Sequence, residues 1–452
     1  MKRLSVFLCL VIAFTLLAGC RNPVNIHRPN DYNQFGFSFS GDFESFWSAM
    51  NLYYSFWDVE PVRYWDSVYV TYKPMFDSLQ NRYNRGERFD TLRTEGYNFY
   101  REFLAPLKDG HLLVLFNNPT SAIPAIAPNE DRVAARFASL TADDNPRRAF
   151  ASTWTGKPFT GNTDYPNYDF WEGTMQNYVK EARTRFPNPN DLTADTSPDS
   201  FRIATGRIPL SNPSDFILYL YFSEFDLARR VQTNRDVSAI MAQYLNDIPQ
   251  PNLKGVIIDM RGNRGGANSD IDYVLNRLIQ EPLHFAYTRN KSGVNRLDFT
   301  PWIPYIISPH PVKAERVQNN IPVVALVNDY SISSGELLPM AVSRMPKGYL
   351  IGTQTYGATG PRFGNNSPAV LNAGSFTNNS GYTLWNQVVM AGFQTKDTNH
   401  TSYEGIGIPP NEEIAFRWDE FASPSTGFGH GRDRQLLAAI QHIDRLYIGP
   451  LP

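Results

Sequence analysis

The chain has 452 residues, with 42 Lys and Arg against 44 Asp and Glu and a formal net charge of −2. That length suits two or three domains, and the balanced charge, with no basic block, argues against a nucleic-acid partner. The 33 prolines and 24 tyrosines fit a loop-rich globular protein with a polar, aromatic surface and exclude a disordered one.

The N-terminus reads as a targeting segment. Lys2 and Arg3 precede an apolar run from Leu4 to Leu17, too short and wrongly flanked for a membrane span. Leu17-Ala18-Gly19-Cys20 then resembles a bacterial lipobox, in which the signal (residues 1–19) is cut off and the cysteine sulfur takes a lipid. The plain alternative is a secretory signal with an incidental cysteine. The only other cysteine, Cys9, lies within the segment to be removed, so no disulfide and no Cys-based zinc site is expected. Arg21-Asn22 after Cys20 lacks an aspartate that favours inner-membrane retention, which points to the outer membrane of the cell envelope.

Residues 20–40 are polar and read as a tether. From 41 to 116 the pattern is helical. Phe43, Phe46, Trp47, Met50, Tyr53 and Tyr54 recur at three- and four-residue steps, as do Trp65, Val68, Tyr69, Tyr72 and Met75, and a third helix is expected over Thr91–Phe103. These aromatic stripes read as core. Asp109-Gly110-His111 then opens an apolar strand from Leu112 to Phe116. Residues 117–200 are rich in Asn, Asp, Pro and Thr and carry one helical pattern, Phe170–Arg185.

From 201 to 452 strands and helices alternate, as in an α/β core with ligands at strand ends. Strands are expected at Ile217–Phe222, Val256–Asp259, Val323–Val327 and Tyr349–Thr353, and helices at Val237–Ile248, Ala267–Ile279 and Arg434–Leu446. Two turns in this region carry chemistry. Asn328-Asp329-Tyr330-Ser331-Ile332-Ser333-Ser334-Gly335-Glu336 joins a buried strand to an apolar helix. A serine there can present its Oγ where the unpaired amides of the helix's first turn also point, which suits acyl transfer. The same residues fit an ordinary N-cap, with Glu336 three positions after Ser333. The second turn is Asp259-Met260-Arg261-Gly262-Asn263-Arg264-Gly265-Gly266. Its glycines either serve a tight turn or let Gly265 or Gly266 donate an amide to an oxyanion, and Asp259 and Arg261 read as braces.

Taken in order, these segments resemble the C-terminal processing and tricorn-like serine peptidases, the tail-specific protease family. Those enzymes pair Asp-x-Arg-x-Asn-x-Gly-Gly with a later Ser-x-Ser-x-x-Glu. The resemblance covers about residue 200 to the end, with a weaker match over 43–116. It implies a Clp protease/crotonase-like core behind an N-terminal helical domain, with 117–200 either a degenerate PDZ-like region or an unrelated insertion. It makes Ser333 the nucleophile and the amides of Ser334 and of Gly265 or Gly266 the oxyanion donors. In the Ser-Lys branch a lysine follows Thr-aromatic-Gly, but Thr355-Tyr356-Gly357 is followed here by Ala358, and Lys347 sits in an exposed-looking turn. The histidine branch fits better. Asp109-Gly110-His111-Leu112 matches its histidine segment, with Leu112 for threonine, and Tyr403-Glu404-Gly405-Ile406-Gly407-Ile408-Pro409 matches its glutamate segment. His111 becomes the base and Glu404 its orienting carboxylate. Of the other histidines, His27, His284, His310, His430 and His442 have no such context, and His400, close to Glu404, is a fallback base. No cofactor or metal is implied, since there is neither a His-Glu-x-x-His nor a phosphate loop. The expectation is a lipid-anchored serine endopeptidase acting on protein or peptide substrates. The alternative is a non-catalytic envelope lipoprotein that binds peptide or lipid in the same cleft.

Overall fold

The computed structural model describes residues 38–60, 64–116, 123, 125–140, 201–210, 212, 214–362, 384–415 and 433–448, with short strands at 192–194 and 375–377. The lipobox, most of the tether and the helix expected at Phe170–Arg185 lie outside the described residues.

In chain order the first elements are helices α1 (Phe39–Tyr53), α2 (Tyr64–Asn84) and α3 (Phe89–Leu104), strand β1 (Leu113–Phe116) and helix α4 (Pro128–Leu140). Strands β2 (Leu192–Ala194), β3 (Ile203–Pro209) and β4 (Phe216–Phe222) follow, then helices α5 (Leu227–Thr233) and α6 (Arg235–Asp247), strand β5 (Leu253–Asp259) and helix α7 (Ser269–Leu275). Next come β6 (Leu283–Asn290), β7 (Ile303–Ile307), β8 (Val323–Val327), α8 (Ser334–Val342) and β9 (Gly348–Gly352). The chain closes with β10 (Ser375–Thr377), β11 (Trp385–Val389), β12 (Phe393–Asp397), β13 (Glu412–Glu413) and α9 (Arg434–Ile448). No described helix is long and apolar enough to cross a membrane.

The aromatic stripes of the first helices turn inward. Phe43 stacks on Phe76 with centroids 4.8 Å apart, Phe46 meets Tyr100 edge-on at 4.9 Å, and Trp57 tilts against Trp65 at 5.0 Å. Such pairs add to simple area burial because ring edges and faces carry opposite partial charge. The helices do not close this core alone. Leu384, Trp385, Val388, Met390 and Ala391 are buried in it, and β1 pairs antiparallel with β11. A segment far along the chain thus finishes the N-terminal unit and holds the loop before β1 in place.

The α/β part is a seven-stranded sheet in the order β13-β9-β8-β5-β4-β3-β2. Strands β4, β5, β8, β9 and β13 run parallel, while β3 and β2 are antiparallel additions. Strand β4 is buried along its whole length, as are the four residues Val256–Asp259 of β5 and all five of β8. That explains why they read as continuous apolar runs with no alternation. Parallel strands all end on one side. The turns after β4, β5, β8 and β9 therefore gather at one edge, where an α/β sheet places its ligands.

Candidate active site

The turn after β8 is laced to the turn after β5. Asn328 Oδ1 accepts the amides of Gly262 (3.0 Å) and Tyr330 (3.1 Å), Ser331 Oγ donates to the Met260 carbonyl (2.8 Å), and the Ile332 amide donates to the Asn263 carbonyl (2.9 Å). A side chain at Gly335 would stand 2.6 Å from that same carbonyl, so the two turns meet backbone to backbone. Ser333 follows with φ 59° and ψ −120°. A non-glycine residue in this region stores on the order of 1–3 kcal/mol and persists only where its surroundings enforce it. Ser333 is partly exposed, whereas Ser334 beside it is buried.

Glu336 is the enforcing group. Its fully buried carboxylate accepts the Ser333 amide (3.3 Å), as a capping glutamate does. It also accepts Thr355 Oγ1 (2.5 Å) and the amides of Gly357 (2.8 Å) and Ala358 (2.7 Å) in the turn after β9. Burial pushes its pKa up to about 7 against the pull of these bonds. The capping pattern seen in the sequence is present, and it is one arm of a larger clasp that three-residue spacing cannot reveal.

The braces are also in place. Arg261, buried, pairs with Asp259 (2.6 Å) and Asp433 (2.8 Å) and donates to Gln435 Oε1 (2.9 Å), so it ties the turn after β5 to the start of α9. Gly265 (φ +81°) and Gly266 (φ +137°) follow. A Cβ on Gly265 would lie 2.6 Å from Ser333 Cβ and 2.8 Å from the Ser334 nitrogen, so this turn rests directly on the Ser333 turn. The two glycines differ in their amides. The Gly265 amide is given to Asn263 Oδ1 (2.8 Å). The Gly266 amide takes no part in the pairing with Phe225, where the Phe225 amide donates to the Gly265 carbonyl and the Ala267 amide to the Phe225 carbonyl, both at 2.8 Å. Of the two glycines, Gly266 is the exposed one.

His111 comes from the other unit. Buried Asp109 holds its backbone, accepting the His111 amide (2.7 Å) on one oxygen and the Ala391 amide (2.9 Å) on the other. Glu404, also buried, accepts the Gly110 amide (2.8 Å), the Gly360 amide (2.7 Å) and Thr359 Oγ1 (3.0 Å). A ring nitrogen of His111 and carboxylate oxygens of Asp109 and Glu404 lie within 4.8 Å of one another. These are also the residues with the spacing to hold a metal ion. Each carboxylate oxygen already accepts at least one backbone amide, so the backbone holds both carboxylates beside the imidazole without a hydrogen bond to the ring. His111 is partly exposed as a residue, yet its Nδ1 is buried and has no hydrogen-bond partner among the described residues. Burial, aided by the Arg362 guanidinium, lowers the His111 pKa to about 3. Burial raises Asp109 to about 7, and burial with the nearby Asp109 charge pushes Glu404 well up.

Contact between the Gly110 loop and the turn after β9 links the two halves. A Cβ on Gly110 would stand 2.5 Å from Ala358 Cα, and the Gly405 amide donates to the Gly357 carbonyl (2.8 Å). Ser333, Glu336, Gly357–Ala358, Gly110–His111 and Glu404 thus form one continuous run of contacts. No hydrogen bond joins Ser333 to His111 directly.

Helix α4 straps the edge of this assembly. Asn129 Nδ2 donates to the Tyr356 carbonyl (3.0 Å), Arg136 pairs with Asp329 (2.9 Å) and donates to the Ile406 and Thr355 carbonyls (both 2.9 Å). The sequence reading found no helix here, although Pro128 opens it and Glu130 and Asp131 occupy its first turn, the usual starting signals. The rival bases stand elsewhere. Lys347 is exposed and its carbonyl accepts the Val323 amide at the start of β8, roughly 15 Å of strand from the far end that carries Ser333. His400 is exposed and stacks on Tyr287 at 5.4 Å, on the β6–β12 sheet.

A family model described as peptidase family S41 matches residues 217–414, the stretch that holds both turns and Glu404. Over those residues the α/β core is similar to a peptidase family S41 domain. A carboxy-terminal-processing protease of Bartonella bacilliformis is 23% identical over 294 residues, covering 64% of this chain and 57% of that protein. Tricorn protease homolog 1 of Streptomyces coelicolor is 24% identical over 222 residues, covering 49% of this chain and 16% of that one. The chain thus spans about half the length of the first relative and far less of the second. Among solved structures, a candidate peptidase from Parabacteroides merdae aligns with TM-score 0.54 and 21% identity over 90% of this chain and 97% of that one. Mature CPAF aligns with TM-score 0.52 and 12% identity over 91% and 97%. At such identities the likeness is one of fold, a Clp protease/crotonase-like S41 core with a helical N-terminal region.

Proposed function

We propose that this S41 chain is a serine endopeptidase that cleaves protein or peptide substrates in the cell envelope. The observation that carries the reading is Ser333, partly exposed and held at φ 59° at the end of β8 against the glycine turn of neighbouring β5. A strained strand-to-helix turn presents a serine oxygen while the following helix amides face the same point. Ser333 Oγ attacks the scissile carbonyl carbon, and His111 takes the hydroxyl proton and later returns it to the leaving amine. The oxygen of the tetrahedral intermediate is received by the amides of Ser334 and Gly266. The Ser334 amide opens α8, where no intrahelical acceptor exists. Gly265, whose amide is already committed, supports the turn.

Two features favour His111 as the base. Its low pKa keeps the imidazole neutral at ordinary pH, and the proton it takes is to be stabilised by the carboxylates beside it. Asp109 and Glu404 stand ready beside it, and an imidazolium would draw their raised pKa values back down, so the cluster gains negative charge as the ring gains its proton. Cys20 is proposed to carry the lipid that anchors the chain, on the lipobox alone.

The test is hydrolysis of one fluorogenic peptide by variants confirmed to be folded. Ser333→Ala and His111→Ala should each lose on the order of 10⁴ to 10⁶ in turnover, and the double variant little more, because the pair works as a unit. Lys347→Ala should match the parent. Retained turnover in Ser333→Ala overturns the reading, and peptide binding without turnover by the parent moves the chain to the non-catalytic alternative. For the anchor, Cys20→Ser should release the protein from membranes; full retention there contradicts it.

A further inference from the structure

We propose that the Ser334 side chain is a positioning group that aims the oxyanion amide of Gly266, an inference that rests on the serine-peptidase reading above. Gly266 sits between two peptide planes, and as a glycine at φ +137° it has no side chain to restrict either of them. The first plane, Gly265–Gly266, is set by the Phe225 amide, which donates to the Gly265 carbonyl at 2.8 Å. In a trans peptide the N–H lies opposite the C=O, so this bond turns the Gly266 amide away from Phe225. The second plane, Gly266–Ala267, is held from two sides. The Ala267 amide donates to the Phe225 carbonyl (2.8 Å), and the Gly266 carbonyl accepts Ser334 Oγ (2.8 Å).

The Ser334 bond is special in its origin. It comes from the first residue of α8, whose own amide is the other oxyanion donor, and it crosses to the turn that bears Gly266. One short side chain therefore fixes the spacing between the two donors. Asn268 completes the arrangement, its side-chain Oδ1 standing 2.6 Å from the same Ser334 oxygen. One hydroxyl proton cannot serve two carbonyl acceptors. With the Asn268 amide turned so that its N–H₂ faces Ser334, the serine accepts from Asn268 and gives its proton to the Gly266 carbonyl. Ser334 is buried while Gly266 is exposed, so a group anchored in the interior holds a glycine that is open to a substrate. Preorganisation of this kind favours the transition state more than the bound substrate.

The experiment compares Ser334→Ala, Asn268→Ala and Ser333→Ala with the parent for kcat, KM and inhibition by a peptide aldehyde, whose hemiacetal oxygen occupies the oxyanion position. Ser334→Ala should lower kcat by on the order of 10- to 100-fold with KM within about twofold, and weaken the aldehyde by a similar factor. Asn268→Ala, at a less buried position, should show the same pattern at smaller size. Parental kcat and aldehyde affinity in Ser334→Ala, beside an inactive Ser333→Ala, overturn the positioning role and leave the peptidase reading intact. A loss confined to KM overturns it as well. An active Ser333→Ala instead removes the peptidase reading itself.

Discussion

Gly110→Ala probes the seam on which the site depends. The new Cβ would stand 2.5 Å from Ala358 Cα and nearer still to the Gly357 carbonyl, both parts of the backbone that Glu336 holds. Ordinary contact begins at 3.4 Å, so even against Ala358 the loop must retreat by 0.9 Å. Neither side yields easily. The Gly110 amide is bonded to Glu404 and the next residue's amide to Asp109, while Gly357 and Ala358 are bonded to Glu336. A displacement near 1 Å between a base and its nucleophile typically lowers activity about 10²-fold, and overpacking of this kind costs about 1–3 kcal/mol. The assay is kcat/KM on a fluorogenic peptide with a thermal melt of the same sample. Gly96→Ala is the foil, since its Cβ meets side chains and no backbone, the nearest being Leu384 Cδ1 at 3.0 Å, far from the site. Parental kcat/KM in folded Gly110→Ala would refute the claim that this seam sets the position of His111.

Arg261→Ala should destabilise the fold by about 3–5 kcal/mol, read as a drop in urea midpoint, because it removes the buried guanidinium that balances the charges of Asp259 and Asp433. A loss below about 1 kcal/mol contradicts that. Glu336 has a folded pKa raised to about 7 from 4.5, so the folded chain holds this proton more tightly, and stability should fall as pH rises through that window, by about 3 kcal/mol from this group alone. Glu336→Gln should flatten that part of the pH–stability curve, and an unchanged slope counts against the assignment. His111 runs the other way: with a folded pKa near 3 against 6.5, its share of stability is lost as pH falls between those values. Turnover should accordingly show no imidazole inflection near 6.5, and one that vanishes only in His111→Ala would show the ring to be less buried in solution than in the structure.

The strands were readable because complete burial leaves an unbroken apolar run, as at Val323–Val327, whose ends coincide with β8. Asp259 and Arg261 read as braces from their place at the turn, although Asp433 as a partner lies too far along the chain to be inferred. Distance in sequence also hid the rest. Nothing at Trp385 announces that it belongs beside Phe46, with which it makes an edge-on contact at 5.6 Å. Nothing at Glu336 announces Thr355, Gly357 and Ala358. Helix α4 was obscured by the Asn- and Pro-rich composition around it, though its own opening residues carried the signal. The difference between Gly265 and Gly266 is likewise invisible in sequence, since it lies in the Asn263 side chain, which accepts the Gly265 amide.

The central claim, that Ser333 is a nucleophile activated from across the seam by His111, is tested most directly by locating a covalent adduct. The protein is treated with a fluorophosphonate and the modified peptide identified by mass spectrometry. A single adduct on Ser333, formed far more slowly in His111→Ala and no more slowly in Lys347→Ala, is the predicted result. An unmodified Ser333 in protein that hydrolyses peptide, or labelling that is indifferent to His111, would contradict the account.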